Sequence, residues 1–155
     1  KRMIDDYHER YYSKLADRKK QMTANNYELA DEITEWKKKI SEKWDDIYVI
    51  STDIEKSADT LTLGKSYEGE VKLDLKGLSP DEIGVELVLT EQDSSGEFIV
   101  IEKTPFKFLE NDEHISIFSI SITPKKSGVF NYGIRMYPKH HAIPHRQDFA
   151  YVRWL

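Results

Sequence analysis

Three histidines lie close together near the C-terminal end: His140, His141 and His145. Imidazoles four or five residues apart are a spacing from which zinc sites are built. Histidine ligands of catalytic metals sit on rigid elements, however, with carboxylates hydrogen-bonded behind them. The segment between Tyr137-Pro138 and the final apolar run carries Pro138 and Pro144 and only Asp148 nearby, so it reads as a loop and not as a metal centre. Four adjacent acid pairs follow: Asp5-Asp6, Asp45-Asp46, Asp81-Glu82 and Asp112-Glu113. Glycoside hydrolysis needs two carboxyl groups facing each other across the scissile bond. These pairs fall in turns or at helix ends, where solvation accounts for them. Serine, histidine and aspartate are all present without a Gly-x-Ser-x-Gly elbow, and no glycine-rich phosphate loop occurs. The absence of cysteine excludes thiol catalysis, disulfides and cysteine-ligated zinc. No catalytic, cofactor-binding or metal-ligating residue is therefore assigned.

Aromatic side chains form 12% of the chain, enough to raise a sugar-stacking surface. Phe130, Tyr132, Tyr151 and Trp154 fall on predicted strands whose alternation turns about half of them inward, which favours a core role over a glycan platform. Lys19-Lys20 and Lys37-Lys38-Lys39 are interleaved with acids and read as solvated helix faces. The net charge of −5 argues against nucleic acid as a partner, and no stretch approaches the roughly 20 apolar residues that would span a bilayer.

The elements that must carry these residues divide near residue 46. Residues 1–46 contain 11 basic and 11 acidic side chains; residues 47–155 contain 12 and 17. Ile4, Tyr7, Tyr11 and Leu15 recur at helical spacing, as do Leu29, Ile33, Trp36, Ile40 and Trp44. Asn25 with Glu28 resembles a capping box that starts the second helix near residue 26, and residues 17–25 are compatible with either a break or a continuous helix. The apolar surface of Ile33, Trp36, Ile40 and Trp44 is too large to leave wet, so residues 26–46 are expected to pack on the sandwich or on a neighbouring domain.

Beyond Trp44 the period drops to two. Ile47 with Val49, then Val71, Leu73 and Leu75, then Val85, Leu87 and Leu89 alternate with polar partners. Ser94-Ser95-Gly96 turns the chain into Phe98–Ile101. A long strand over His114–Thr123 changes apolar phase between Ile117 and Phe118, for which a β-bulge is expected. Lys125–Gly128 forms a turn before Phe130, Tyr132, Ile134 and Met136, and Phe149–Trp154 forms the last strand. Ser79-Pro80-Asp81-Glu82 reads as one capped helical turn. Arg135 alternates to the sheet face opposite Ile134 and Met136, and reads as a surface or edge charge with a local acidic partner, not a phosphate ligand. Seven or eight short strands predict a mainly β chain, an immunoglobulin-like antiparallel β-sandwich (47–155) preceded by an α-helical segment (1–46).

Three segments, taken in order, resemble the C-terminal end of bacterial α-glucan (glycogen) phosphorylases. They are Met3–Tyr7 with Arg10-Tyr11-Tyr12; Ala24-Asn25-Asn26 through Trp36-Lys37 to Trp44–Ile47; and Gly77–Ile83 with Val85-Glu86-Leu87, Ser127-Gly128, Tyr132–Arg135 and Pro138-Lys139-His140. Val152-Arg153-Trp154 also fits. The resemblance implies a cytoplasmic parent enzyme that cleaves α-1,4-glucans with phosphate and releases glucose 1-phosphate. It also implies pyridoxal phosphate on a lysine upstream of residue 1, since no Ser-Gly-Met-Lys surroundings occur here. The chain, opening on Lys1 and already amphipathic, then reads as a fragment whose partners are the upstream catalytic core, an α-glucan or a second copy. An autonomous carbohydrate-binding module of another glycan-active enzyme is the alternative.

Overall fold

The computed structural model describes residues 12–54, 64, 66–123 and 130–155. The chain divides into two compact units, Lys1–Glu42 and Lys43–Leu155. In the first, helix α1 spans Ser13–Thr23 and helix α2 starts at Glu28 and runs to Lys43. The chain breaks between them in a 3-10 turn over Ala24–Tyr27, with Asn25 and Tyr27 both at positive φ. The Asn25 side-chain amide donates to Glu28 Oε2 at 3.2 Å, so the predicted pair exists but joins side chain to side chain. Glu28 and Asp31 in the first turn of α2 and Lys43 in the last complement the helix dipole. Its predicted stripe is realised as buried Ile33, Trp36 and Ile40, whereas Leu15 on α1 is exposed. Ile4, Tyr7, Tyr11 and the Asp5-Asp6 pair lie outside the described residues.

The second unit carries eight strands in two antiparallel four-stranded sheets, a sandwich-like arrangement. One sheet is ordered β1 (Tyr48–Ile54), β2 (Tyr67–Asp74), β6 (Ile115–Ile122), β5 (Lys107–Asp112). The other runs β4 (Phe98–Pro105), β3 (Ile83–Gln92), β7 (Asn131–Pro138), β8 (Arg153–Trp154). Val71, Leu73, Phe118 and Ile120 from the first sheet and Val85, Leu87, Ile134 and Met136 from the second are all buried. Each such side chain contributes about 1.5–3 kcal/mol on leaving water.

Residues 43–47 are held within this unit. Trp44 is buried with its ring edge-on to Tyr151 at 5.6 Å, Lys43 Nζ donates to the Lys76 carbonyl, and Arg153 donates to the Ile47 carbonyl. The Ser79-Pro80-Asp81-Glu82 turn forms as predicted, with the Glu82 carboxylate accepting from the Ser79 N–H at 2.7 Å. The Ser94-Ser95-Gly96 turn is organised by Asp93, whose carboxylate accepts from the backbone N–H groups of Ser95 and Glu97, with Gly96 at φ +86°.

Two expectations are corrected and one strand is added. Register between β2 and β6 is continuous through Ile117 and Phe118, so β6 carries no bulge at that step. The irregularity lies opposite, on β5 between Phe108 and Glu110, and Ile117 is an apolar residue buried on the sheet's other face. Strand β5 itself is absent from the sequence reading because all six of its residues are exposed, leaving no apolar alternation to detect. The last strand is only Arg153–Trp154, preceded by a 3-10 turn over Arg146–Phe149. The Lys125–Gly128 turn lies outside the described residues.

Candidate functional site

Strand β3 departs most from simple alternation: all seven residues from Ile83 to Leu89 are buried, including Glu86. Antiparallel pairing of β3 with β7 sets Glu86 opposite Arg135 and Gly84 opposite Tyr137. Arg135 Nε donates to Glu86 Oε1 at 2.7 Å. From the 3-10 turn, Arg146 Nη1 donates to the other carboxylate oxygen at 2.7 Å, and its Nη2 donates to the Tyr137 hydroxyl, also at 2.7 Å. The Arg146 guanidinium lies 3.6 Å from the centre of the Tyr137 ring. A close approach at Gly84 makes this possible, since a Cβ there would sit 2.3 Å from the tyrosine ring. The pattern repeats one side over, where Gly133 leaves room for the Trp154 ring and the Arg135 guanidinium lies 5.4 Å from its centre.

Burial by itself pushes the Glu86 carboxyl upward, but the hydrogen bonds and charges of Arg146 and Arg135 outweigh it and hold the group below its ordinary value. Burial raises the Tyr137 phenol. A buried carboxylate is tolerated only when paired and hydrogen-bonded, and both oxygens of Glu86 are. Chemically the cluster is a clamp. A general acid or base needs a proton free to move near neutral pH. Glu86 is instead locked ionised between two cations, and its work is to tie the segment after β7 down onto the sheet.

Arg135 has the acidic partner the sequence suggested, but that partner is a core residue and Arg135 is itself half-buried. The histidines divide. His140 and His141 stack at 4.6 Å, and His140 Nδ1 accepts from the Ala142 N–H. His145 is exposed, and among the described residues it joins no cluster of three metal-ligand atoms. Asp45, Asp46, Asp112 and Glu113 are exposed, and Glu82 is used as a turn cap. Glu86 and Arg146 were not legible as a pair 60 residues apart. The available signal was Gly84, a glycine inside an apolar strand that marks a close approach of another group.

Comparison with known proteins adds the lineage. Residues 44–155 match the family described as the glycogen phosphorylase C-terminal domain. Glycogen phosphorylase of Mycobacterium bovis is 25% identical over 154 residues, covering 97% of this chain and 18% of the relative. Maltodextrin phosphorylase of Thermococcus litoralis is 27% identical over 160 residues, covering 99% of this chain and again 18% of the relative. The chain thus spans about a fifth of the length of these curated relatives. No solved structure matches it significantly. With its strand-bearing unit matched almost end to end, the chain belongs to the glycogen phosphorylase C-terminal domain family.

Proposed function

We propose that this chain is the non-catalytic accessory end of a phosphorylase that splits α-1,4-glucans with phosphate and releases glucose 1-phosphate. Residues 1–46 connect it to the catalytic core, and residues 47–155 brace that core. The observation that carries the reading is the Glu86 cluster: the deepest charged group described is saturated by two arginines, an arrangement that fastens structure and offers no proton to a substrate. The family match supports the parentage.

Pyridoxal phosphate, the cofactor proposed for the parent, does not fit the residues described here. A Schiff base needs an enclosed amine, and no lysine among the described residues is buried. The cofactor and its chemistry belong to the rest of the parent. The parent works in the cytoplasm, with the glucan or a second copy as further partners of this domain; no helix among the described residues is long and apolar enough to cross a membrane.

Two preparations test the reading. The isolated chain, given maltooligosaccharide and phosphate, is expected to release no glucose 1-phosphate and to show no pyridoxal absorbance. The parent truncated ahead of residue 47 is expected to keep that absorbance and to melt at a lower temperature. Turnover by the isolated chain, or an unchanged melting temperature in the truncated parent, refutes the proposal.

A further inference from the structure

Strand β4 lies at the edge of its sheet, and no described strand pairs with its outer side. It opens on Phe98-Ile99-Val100-Ile101, four large apolar side chains in succession, all exposed, from 38% at Ile101 to 62% at Phe98. Natural edge strands are kept from pairing with another chain by a charge, a proline or a bulge. β4 has all three, but none within Phe98–Val100. The register with β3 slips at Ile101, Glu102 and Lys103 follow, and Pro105 ends the strand. Phe98, Ile99 and Val100 pair in regular order with Gln92, Glu91 and Thr90. Here β3 has left the core, since Thr90 is half-buried and Glu91 and Gln92 are exposed.

The hairpin that carries the run is already set. The Asp93 carboxylate accepts from the N–H groups of Ser95 and Glu97 and from the Ser95 hydroxyl, and the Asp93 N–H donates to the Glu97 carbonyl. A strand held in this way loses little further freedom when another pairs with it. Charge then selects the partner. Glu91, Asp93 and Glu97 stand at the turn end of the hairpin, and Lys103, also exposed, stands beyond the other end of the apolar run. Two such edges laid antiparallel bring the acidic end of each copy to the lysine end of the other. Laid parallel, acid meets acid. The pattern is complementary to itself in one direction only.

We propose that β4 pairs antiparallel with β4 of a second copy, about a two-fold axis within Phe98–Ile101, joining two four-stranded sheets into one of eight strands. The outer main-chain groups supply the hydrogen bonds, the apolar run supplies the buried surface, and Glu97 with Lys103 sets the direction. This rests on the reading of a second copy as a partner of the domain and not on the parent's chemistry, so a monomeric chain leaves the turnover and truncation tests unaffected.

Sedimentation equilibrium of the 155-residue chain measures the pairing. A reversible dimer with a Kd of about 10–100 µM is expected, weak because one strand pair buries less than a standard interface. Ile99→Lys, at an exposed position, is expected to weaken it at least about tenfold, since like charges then meet across the two-fold axis; an unchanged melting temperature controls for folding. Glu97→Lys and Lys103→Glu are each expected to weaken it about tenfold, as two attractive contacts become two repulsive ones. The double variant is expected to regain the affinity of the unaltered chain. Within one copy the two residues stand about 20 Å apart, so that recovery needs the second copy. The proposal is overturned if the chain is monomeric at about 300 µM, well above the expected Kd, which leaves the edge to the upstream core. It is equally overturned if Ile99→Lys dimerises like the unaltered chain, or if the double variant stays as weak as the single ones.

Discussion

Replacing Glu86 by glutamine keeps the size of the side chain and removes only its charge. The amide oxygen can still accept from one arginine, but the NH2 group then faces the donors of the other. Two guanidiniums that shared one carboxylate are left without a counter-charge. Breaking a fully buried pair in this way costs about 3–5 kcal/mol. Here the carboxylate is buried, but the arginine side chains are 22% and 51% exposed, so water takes up part of the unbalanced charge. The expected loss is therefore about 2–4 kcal/mol, less than for a dry pair. For a chain of this size that corresponds to a fall of roughly 10 °C in melting temperature. Urea denaturation at pH 7 measures it directly. Arg146→Lys, which keeps a charge but loses the fork between Glu86 and Tyr137, should fall between the two. A Glu86→Gln variant within about 0.5 kcal/mol of the parent sequence would show that the cluster is not a clamp.

The same group makes acid stability depend on pH. Because the folded carboxyl sits below its ordinary value of 4.5, its contribution is complete above that pH and is lost as the pH falls through the depressed folded value. The Glu86→Gln variant should lack this part of the acid limb, and parallel stability profiles below pH 5 would contradict that. Gly84→Ala would place a Cβ 2.3 Å from the Tyr137 ring; the ring and the Arg146 bonded to it must move, at a cost of about 1–3 kcal/mol measured by denaturation. Gly133→Ala meets only the Trp154 ring edge at 2.9 Å, and that ring is 58% exposed and able to yield, so its loss should stay below about 1 kcal/mol by the same assay. Trp44→Ala should cost about 3–5 kcal/mol and remove the edge contact with Tyr151, seen as altered near-ultraviolet dichroism together with a lower melting temperature.

Legibility in the sequence followed the strength of one-dimensional signals. The stripe of Ile33, Trp36 and Ile40 announces α2 because a helix returns the same face every three or four residues. Ser79-Pro80-Asp81-Glu82 announces its turn because the cap, the fixed φ of proline and the returning carboxylate all lie within four residues. Strand β5 gives no such notice, since an edge strand exposed on both faces has no apolar period. Ile117 was misjudged for the opposite reason. It is buried on the second face of β6, so apolar residues on both sides of one strand imitated a change of phase.

The candidate site was further from view. Glu86 lies between Val85 and Leu87, where alternation predicts a wet face, and the local hint that this face is covered is Gly84, two residues before it. Its partners stand 49 and 60 residues away, and only the β3–β7 register and the turn at Arg146 bring them within hydrogen-bond reach.

From its residues alone this chain could be seen as two amphipathic helices before a run of antiparallel strands, with no cysteine, phosphate loop or nucleophile elbow, because such features are periodic or local. Which strands share a sheet, and where one carboxylate is buried between two arginines, were decided by tertiary structure. Burial and electrostatic pairing are properties of neighbours in space, and a strand's second face acquires its neighbours only when the chain closes over it.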